Sequence, residues 1–180
     1  MTATSRDVGF ATNAASLFPR LRGRRVIVGV PGVGFRGDLR ADDPVVQASR
    51  TYVPVLTEQD YYRAETEQVE AFALLVPIDR VWVELVPETA TSADPPVTLD
   101  APPRRTPIPA SGLGQTTGRR VVQAVPDGHV RDLRGATDVY QNADGVASVR
   151  VCGEPEWYRW ALGGATPSTI EVRADLLWVE

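Results

Sequence analysis

The sequence predicts a mainly β protein: a tandem duplication of a small, curved β-barrel module, each copy with one short helix. Three observations lead there. Short strings recur in the same order: Gly23-Arg24-Arg25-Val26 as Gly118-Arg119-Arg120-Val121, Asp38-Leu39-Arg40 as Asp132-Leu133-Arg134, Tyr62-Arg63 as Tyr158-Arg159, and Trp82-Val83-Glu84 as Trp178-Val179-Glu180. Their spacing drifts only from 95 to 94 to 96 residues, the mark of one folding unit used twice. Between them lie short β-rich runs broken by proline and glycine, a pattern of strands and turns and not of long helices.

The repeat divides the 180 residues into a lead-in (1–22), a first module (23–86), a Pro-rich linker (87–117) and a second module (118–180). Each module, at about 60 residues, is near the lower limit at which a single core is stable alone. A short helix is expected in the lead-in over residues 13–17. The linker, PETATSADPPVTLDAPPRRTPIPASGLGQTT, holds no aromatic residue. Its Pro, Thr, Ser and Ala content cannot bury a core of its own, so a semi-extended spacer is expected.

Within a module the first strand covers residues 25–30 and 120–125 and stops at Pro31 or Pro126 before a glycine-bearing turn. A second extended run follows at 35–40 and 130–134. The second copy then has Val139-Tyr140-Gln141 and residues 147–151 around Asn142-Ala143-Asp144-Gly145, and an Asp-Gly between alternating runs is a strong hairpin signal. The first copy has Val45-Val46-Gln47 and residues 52–55 in the same places. Next come Glu58-Gln59-Asp60-Tyr61-Tyr62-Arg63-Ala64 and Glu154-Pro155-Glu156-Trp157-Tyr158-Arg159-Trp160. Acidic residues lead, proline takes an early helical position and aromatics follow, which is a helix start. In the second copy Gly163-Gly164 and Pro167 fall where that helix would continue, so one or two turns are expected in both. Strands at 70–76 and 169–172, then at 79–85 and 175–180, close each module. In strand order and module size this layout resembles an SH3-like barrel. A flat sheet this small would leave its edges and one face bare.

Composition narrows the function classes. Hydrophobic residues make up 43% and charged residues 23% of the chain, ordinary for a globular protein. The net charge is −4 and the pI about 5.1, so binding built on phosphate contacts is disfavoured. A single cysteine, Cys152, allows no intrachain disulfide and points to a reducing, cytoplasmic setting. No run approaches the 18 or so apolar residues of a membrane helix. All 19 basic residues are arginine, and with the heavy use of Ala, Val, Pro and Asp this suggests a GC-rich bacterial source.

Val26/Val121, Val30/Val125, Leu39/Leu133, Val53/Val149, Val55/Val151, Val76/Val172 and Trp82/Trp178 are apolar in both copies. Their alternation marks them as one buried sheet face. The shared polar residues admit two readings. Arg24, Arg25, Arg36, Asp38, Arg40, Glu58, Tyr62, Arg63, Asp79 and Glu84 have counterparts at Arg119, Arg120, Arg131, Asp132, Arg134, Glu154, Tyr158, Arg159, Asp175 and Glu180. Arginine grips carboxylates in a bidentate manner, so these residues can be ion pairs that pin strand ends and loops. They can equally be a recognition surface duplicated for avidity. On the second reading the partner-binding candidates are Arg36, Arg40, Tyr61, Tyr62, Arg63, Arg131, Arg134, Glu154, Trp157, Tyr158, Arg159 and Trp160. Tyr, Trp and Arg are the usual makings of an interface hot spot, and the second copy carries the larger aromatic platform, with Trp157 for Tyr61 and Trp160 for Ala64.

Catalytic signatures are missing. His129 is the only histidine, and one His with one Cys makes a metal site untenable, so no metal or cofactor is expected. Gly32-Val33-Gly34 lacks the spacing, the Lys-Ser/Thr and the following helix of a phosphate loop. The expected function is a non-catalytic binding or assembly protein that engages a protein partner through Arg and aromatic surfaces. The alternative is an enzyme or small-molecule binder with a pocket between the repeats. Nucleic-acid binding by the Arg24-Arg25 and Arg119-Arg120 faces ranks third. The Arg104-Arg105 element of the linker is a candidate to dock on a barrel, as Pro-rich segments dock on SH3 grooves. The sequence closes on its last strand, which leaves strand exchange and a homo-oligomer open.

Overall fold

The computed structural model describes residues 11–85, 107–126 and 128–180. Most of the expected linker, including Arg104-Arg105, lies outside the described residues. The protein is mainly β and divides into two compact units, each built on one curled seven-stranded sheet with a short helix.

The first unit runs β1 (Ala11–Ala14), β2 (Arg25–Val30), β3 (Gly34–Ala41), β4 (Val45–Gln47), β5 (Arg50–Thr57), α1 (Glu58–Glu67), β6 (Leu74–Pro77) and β7 (Val81–Leu85). Its strands lie in the order β1-β7-β2-β3-β5-β4, with β6 also paired to β5, and every pairing is antiparallel. The second unit runs β8 (Ile108–Pro109), α2 (Ala110–Leu113), β9 (Arg120–Val125), β10 (Gly128–Gly135), β11 (Tyr140–Gln141), β12 (Ala147–Gly153), α3 (Glu154–Ala161), β13 (Ile170–Arg173) and β14 (Leu177–Val179). Read from β8, its order is β8-β14-β9-β10-β12-β11 with β13 on β12, the same as in the first unit. This match fits an internal duplication.

The residues 13–17 expected as a helix instead hold the end of β1 and a single 3-10 turn, Ala15–Leu17. β1 pairs with β7, as β8, at the end of the expected linker, pairs with β14. Both stretches supply an edge strand that covers the last strand of the module, a role that their low hydrophobicity conceals. The strand expected over 70–76 forms only at Leu74–Pro77, and the one expected over 79–85 begins as a 3-10 turn, Ile78–Arg80.

α3, with 8 residues, keeps to about the two turns expected, whereas α1, with 10, runs to nearly three. The glycines that stop the second helix act only there: Gly163 at φ 90° follows α3, while α1 runs on to Gln68 in the left-handed region at φ 54°. Thr57 caps α1, its Oγ1 accepting from the Asp60 amide at 3.1 Å, and Glu58 and Asp60 suit the positive end of the helix.

In the first unit, Val26, Val28, Leu39, Val53, Val55, Val76, Val81 and Val83 form the core. Val121, Val149, Val151, Val172, Leu177 and Val179 form it in the second. The tryptophans depart from the expected single face. Trp82 stands between Val81 and Val83, so strand alternation turns it to the opposite side of the sheet, where Phe35 meets it edge-on at 5.7 Å. Val30 and Val125 are only half-buried. The Asn142–Gly145 hairpin forms, with Asn142 Oδ1 accepting from the Asp144 and Val146 amides at 3.0 and 2.9 Å.

One expected equivalence fails. Val28 pairs with Arg36, and the corresponding Gln123 pairs with Val130. A bulge then follows in each unit, holding Gly37-Asp38 and Arg131-Asp132, with both aspartates in the left-handed region at φ 56° and 57°. Register therefore equates Arg36 with Val130, and Gly37 with Arg131. Arg36 is exposed and Arg131 half-buried.

Candidate functional site

The shared polar residues converge on the sheet face opposite the core. Arg40 follows Leu39 and Arg25 precedes Val26, so alternation sends both guanidinium groups to that face. There α1 delivers Glu58 and Tyr62, one turn apart on the same side of the helix. The Glu58 carboxylate is fully buried, with Arg40 Nε 3.2 Å and Arg25 Nε 3.9 Å from Oε1. Arg40 also donates from Nη1 to the Gly23 carbonyl at 2.9 Å and from Nη2 to Tyr62 Oη at 2.8 Å.

The second unit repeats the arrangement. Arg120 Nε donates to Glu154 Oε1 at 3.0 Å, and Arg134 Nε lies 3.3 Å away. Arg134 reaches the Gly118 carbonyl at 2.9 Å and Tyr158 Oη at 2.7 Å. Arg120 Nη1 adds Glu180 Oε2 at 3.4 Å. Tyr61 and Trp157 stand edge-on to Tyr62 and Tyr158 at 5.4 and 5.3 Å. Gly118, at φ 73°, turns the chain and leaves room: a Cβ there would sit 3.1 Å from the Trp157 ring. Each cluster clamps a helix end to the sheet and to the turn before the first long strand.

Of the sequence-selected residues, the structure thus gathers Arg40, Tyr61 and Tyr62 in one clamp and Arg134, Glu154, Trp157 and Tyr158 in the other. Arg40, Tyr62, Arg134, Glu154 and Tyr158 are buried, while Tyr61 and Trp157 are half-buried. Arg63, Arg159 and Trp160 lie on the outer sides of the helices and are exposed. Arg63 is paired with Glu67 at 3.1 Å, and Arg159 donates to the Pro155 carbonyl at 3.4 Å.

Two residues escaped selection. Asp43 Oδ1 accepts from the Leu21 and Arg22 amides at 2.8 and 3.2 Å, and Asp138 Oδ1 from the Thr116 and Thr117 amides, both at 3.0 Å. They sit 95 residues apart, and the repeat itself would have found them. The amide donors hold both carboxyl groups below their ordinary value, for Asp138 with the Thr117 hydroxyl added. A depressed folded-state value stabilises above the unfolded one and is lost as pH falls through the folded one. Acid titration of Asp138→Asn should therefore show a shallower loss of stability below about pH 4 than the parent.

A further feature lies in the first unit. Its core stays open at one end as a hollow of about 190 Å³, walled by Val28, Val30, Leu39, Val55 and Val76. Arg36, Thr57, Asp60, Phe72 and Leu74 form the mouth. Phe72 is 99% and Leu74 70% exposed, large apolar groups left in water where most such residues are covered. Asp60 accepts the Thr57 hydroxyl at 2.7 Å in the first turn of α1. Arg36 makes no hydrogen bond or ion pair among the described residues. In the second unit Gln123 replaces Val28 and Val130 replaces Arg36.

Among the described residues no cluster of His, Cys, Asp and Glu could hold a metal, and no helix is long and apolar enough to cross a membrane. Cys152 is buried, and desolvation, with the Glu156 charge beside it, pushes its thiol up to about 11. Its reaction with a maleimide at pH 7 should therefore be slow in the native chain and fast in urea; equal rates would contradict the burial. No family model, no curated protein and no solved structure matches this chain.

Proposed function

We propose that this chain is a non-catalytic binding protein: a tandem duplication of an SH3-like module whose shared residues build the fold, and whose divergent residues engage a protein partner. The identical strand order of the two sheets and their paired clamps support the duplication. The 3-10 turn before each last strand supports the SH3-like reading. One observation carries the function. The hollow of the first unit opens between exposed Phe72 and Leu74, with Arg36 at its edge. Aromatic, aliphatic and arginine side chains around a concave apolar site make an interface centre. Residue usage, with 19 arginines, no lysine and one cysteine, supports a bacterial cytoplasmic setting.

The test is capture from the source organism's lysate by three baits: the parent chain, Phe72→Ser/Leu74→Ser, and Trp160→Ser. The captured protein is then purified and titrated against each. A protein that binds the parent and the Trp160 variant, and is lost with the first variant, supports the reading. Binding that survives Phe72→Ser/Leu74→Ser moves the interface off the hollow, and failure of every captured protein to bind when purified overturns the function.

A further inference from the structure

Resting on that reading, we infer that the hollow takes a single apolar side chain from a partner segment in which a neighbouring residue carries a carboxylate. Size decides the first half. Small-molecule and cofactor sites usually run from about 300 to 1,000 Å³, and this hollow is about 190 Å³. A dry apolar cavity of about 150 Å³ accepts one benzene-sized group, so one leucine-sized or aromatic side chain fits. The walls are valine and leucine, which offer such a group burial and no hydrogen bonds. Phe72 and Leu74, standing in water at the mouth, extend the apolar contact to the chain on either side of the plug.

Charge decides the second half. Two charged residues reach the mouth, and only one is already engaged. Asp60 takes the Thr57 hydroxyl and lies in the first turn of α1, where the helix N-terminus offsets its charge. Arg36 forms no ion pair among the described residues. Its planar fork matches a carboxylate with two parallel hydrogen bonds. The second unit serves as an internal control: with Val130 in place of Arg36 it lacks this cation, so the acidic preference belongs to the first unit.

The experiment is selection of a random dodecapeptide library, displayed on phage, against the full chain and against Phe72→Ser/Leu74→Ser. The most enriched peptide is then synthesised with its acidic residues intact or as amides, and titrated by fluorescence anisotropy against the parent and Arg36→Gln. The expected consensus is a large apolar residue with Asp or Glu within two positions, enriched on the parent only. Amidation should weaken binding to the parent about tenfold and leave binding to Arg36→Gln unchanged. A consensus without acidic residues, or equal weakening by amidation on both proteins, overturns the carboxylate. No enrichment over the Phe72/Leu74 variant overturns the hollow as a peptide site. In either case a partner captured through another surface would leave the broader binding reading standing.

Discussion

Replacing Glu154 with glutamine should destabilise the second unit by about 3–5 kcal/mol. The glutamine keeps the shape of the side chain and removes its charge. Arg120, 4% exposed, would then keep Glu180 at 3.4 Å but lose the nearer Glu154 carboxylate, and Arg134, 7% exposed, would lose the Glu154 charge 3.3 Å away, in a site with little water. The cost of an uncompensated buried charge, more than the loss of the pair's attraction, sets the size of the effect. An exposed pair provides the scale: Arg63→Gln breaks its i,i+4 contact with Glu67 and should cost at most about 0.5 kcal/mol. Urea unfolding of both variants measures the difference. A loss below about 1 kcal/mol for Glu154→Gln would mean that water enters the clamp.

Trp82→Ala should cost the first unit about 3–5 kcal/mol, the range for a buried tryptophan. Trp82 is 8% exposed, stacks edge-on with Phe35, and lies against the backbone at Gly29, where an added Cβ would be 3.1 Å from its ring. No other side chain of that size stands in this sheet, so the deletion leaves a void that small neighbours cannot fill. Phe35→Leu, which removes the ring contact and keeps most of the area, should cost only about 0.5–1.5 kcal/mol. Near-equal losses for the two variants, read from denaturant midpoints, would show that the stack and not the buried volume dominates.

The repeat made the strand order and the helix start legible, because two imperfect copies of one pattern resolve what a single copy leaves ambiguous. Valines 26, 53, 55 and 76 stood out by alternation and lie in the core. Trp82 did not obey the single-face reading, because a sheet that carries a helix and an ion cluster on its second side can bury residues there too. β1 and β8 were hidden because an edge strand can be short and need bury only part of itself. The clamp was half legible. Equal charges in equal places signalled ion pairs, and burial of Glu58 and Glu154 came from the fold. The hollow could not be read from either copy alone, since its walls are ordinary core valines. What marked it was disagreement between copies: Arg36 against Val130, and Phe72 against Ser168. The gap that equated Arg36 with Arg131 concealed that difference.

Shared residues hold the fold and also wall the hollow, while Arg36 and Phe72 at its mouth differ between the copies, and on the proposed reading they set what it binds. One paired measurement separates these roles: unfolding free energy and affinity for the selected dodecapeptide, on Glu58→Gln and Arg36→Gln. Glu58→Gln should lose about 3–5 kcal/mol of stability and, where still folded, bind the peptide as the parent does. Arg36→Gln should keep its stability within about 0.5 kcal/mol and bind about tenfold more weakly. Weakened binding by folded Glu58→Gln, or an Arg36→Gln chain that is destabilised and binds normally, would contradict this division of labour.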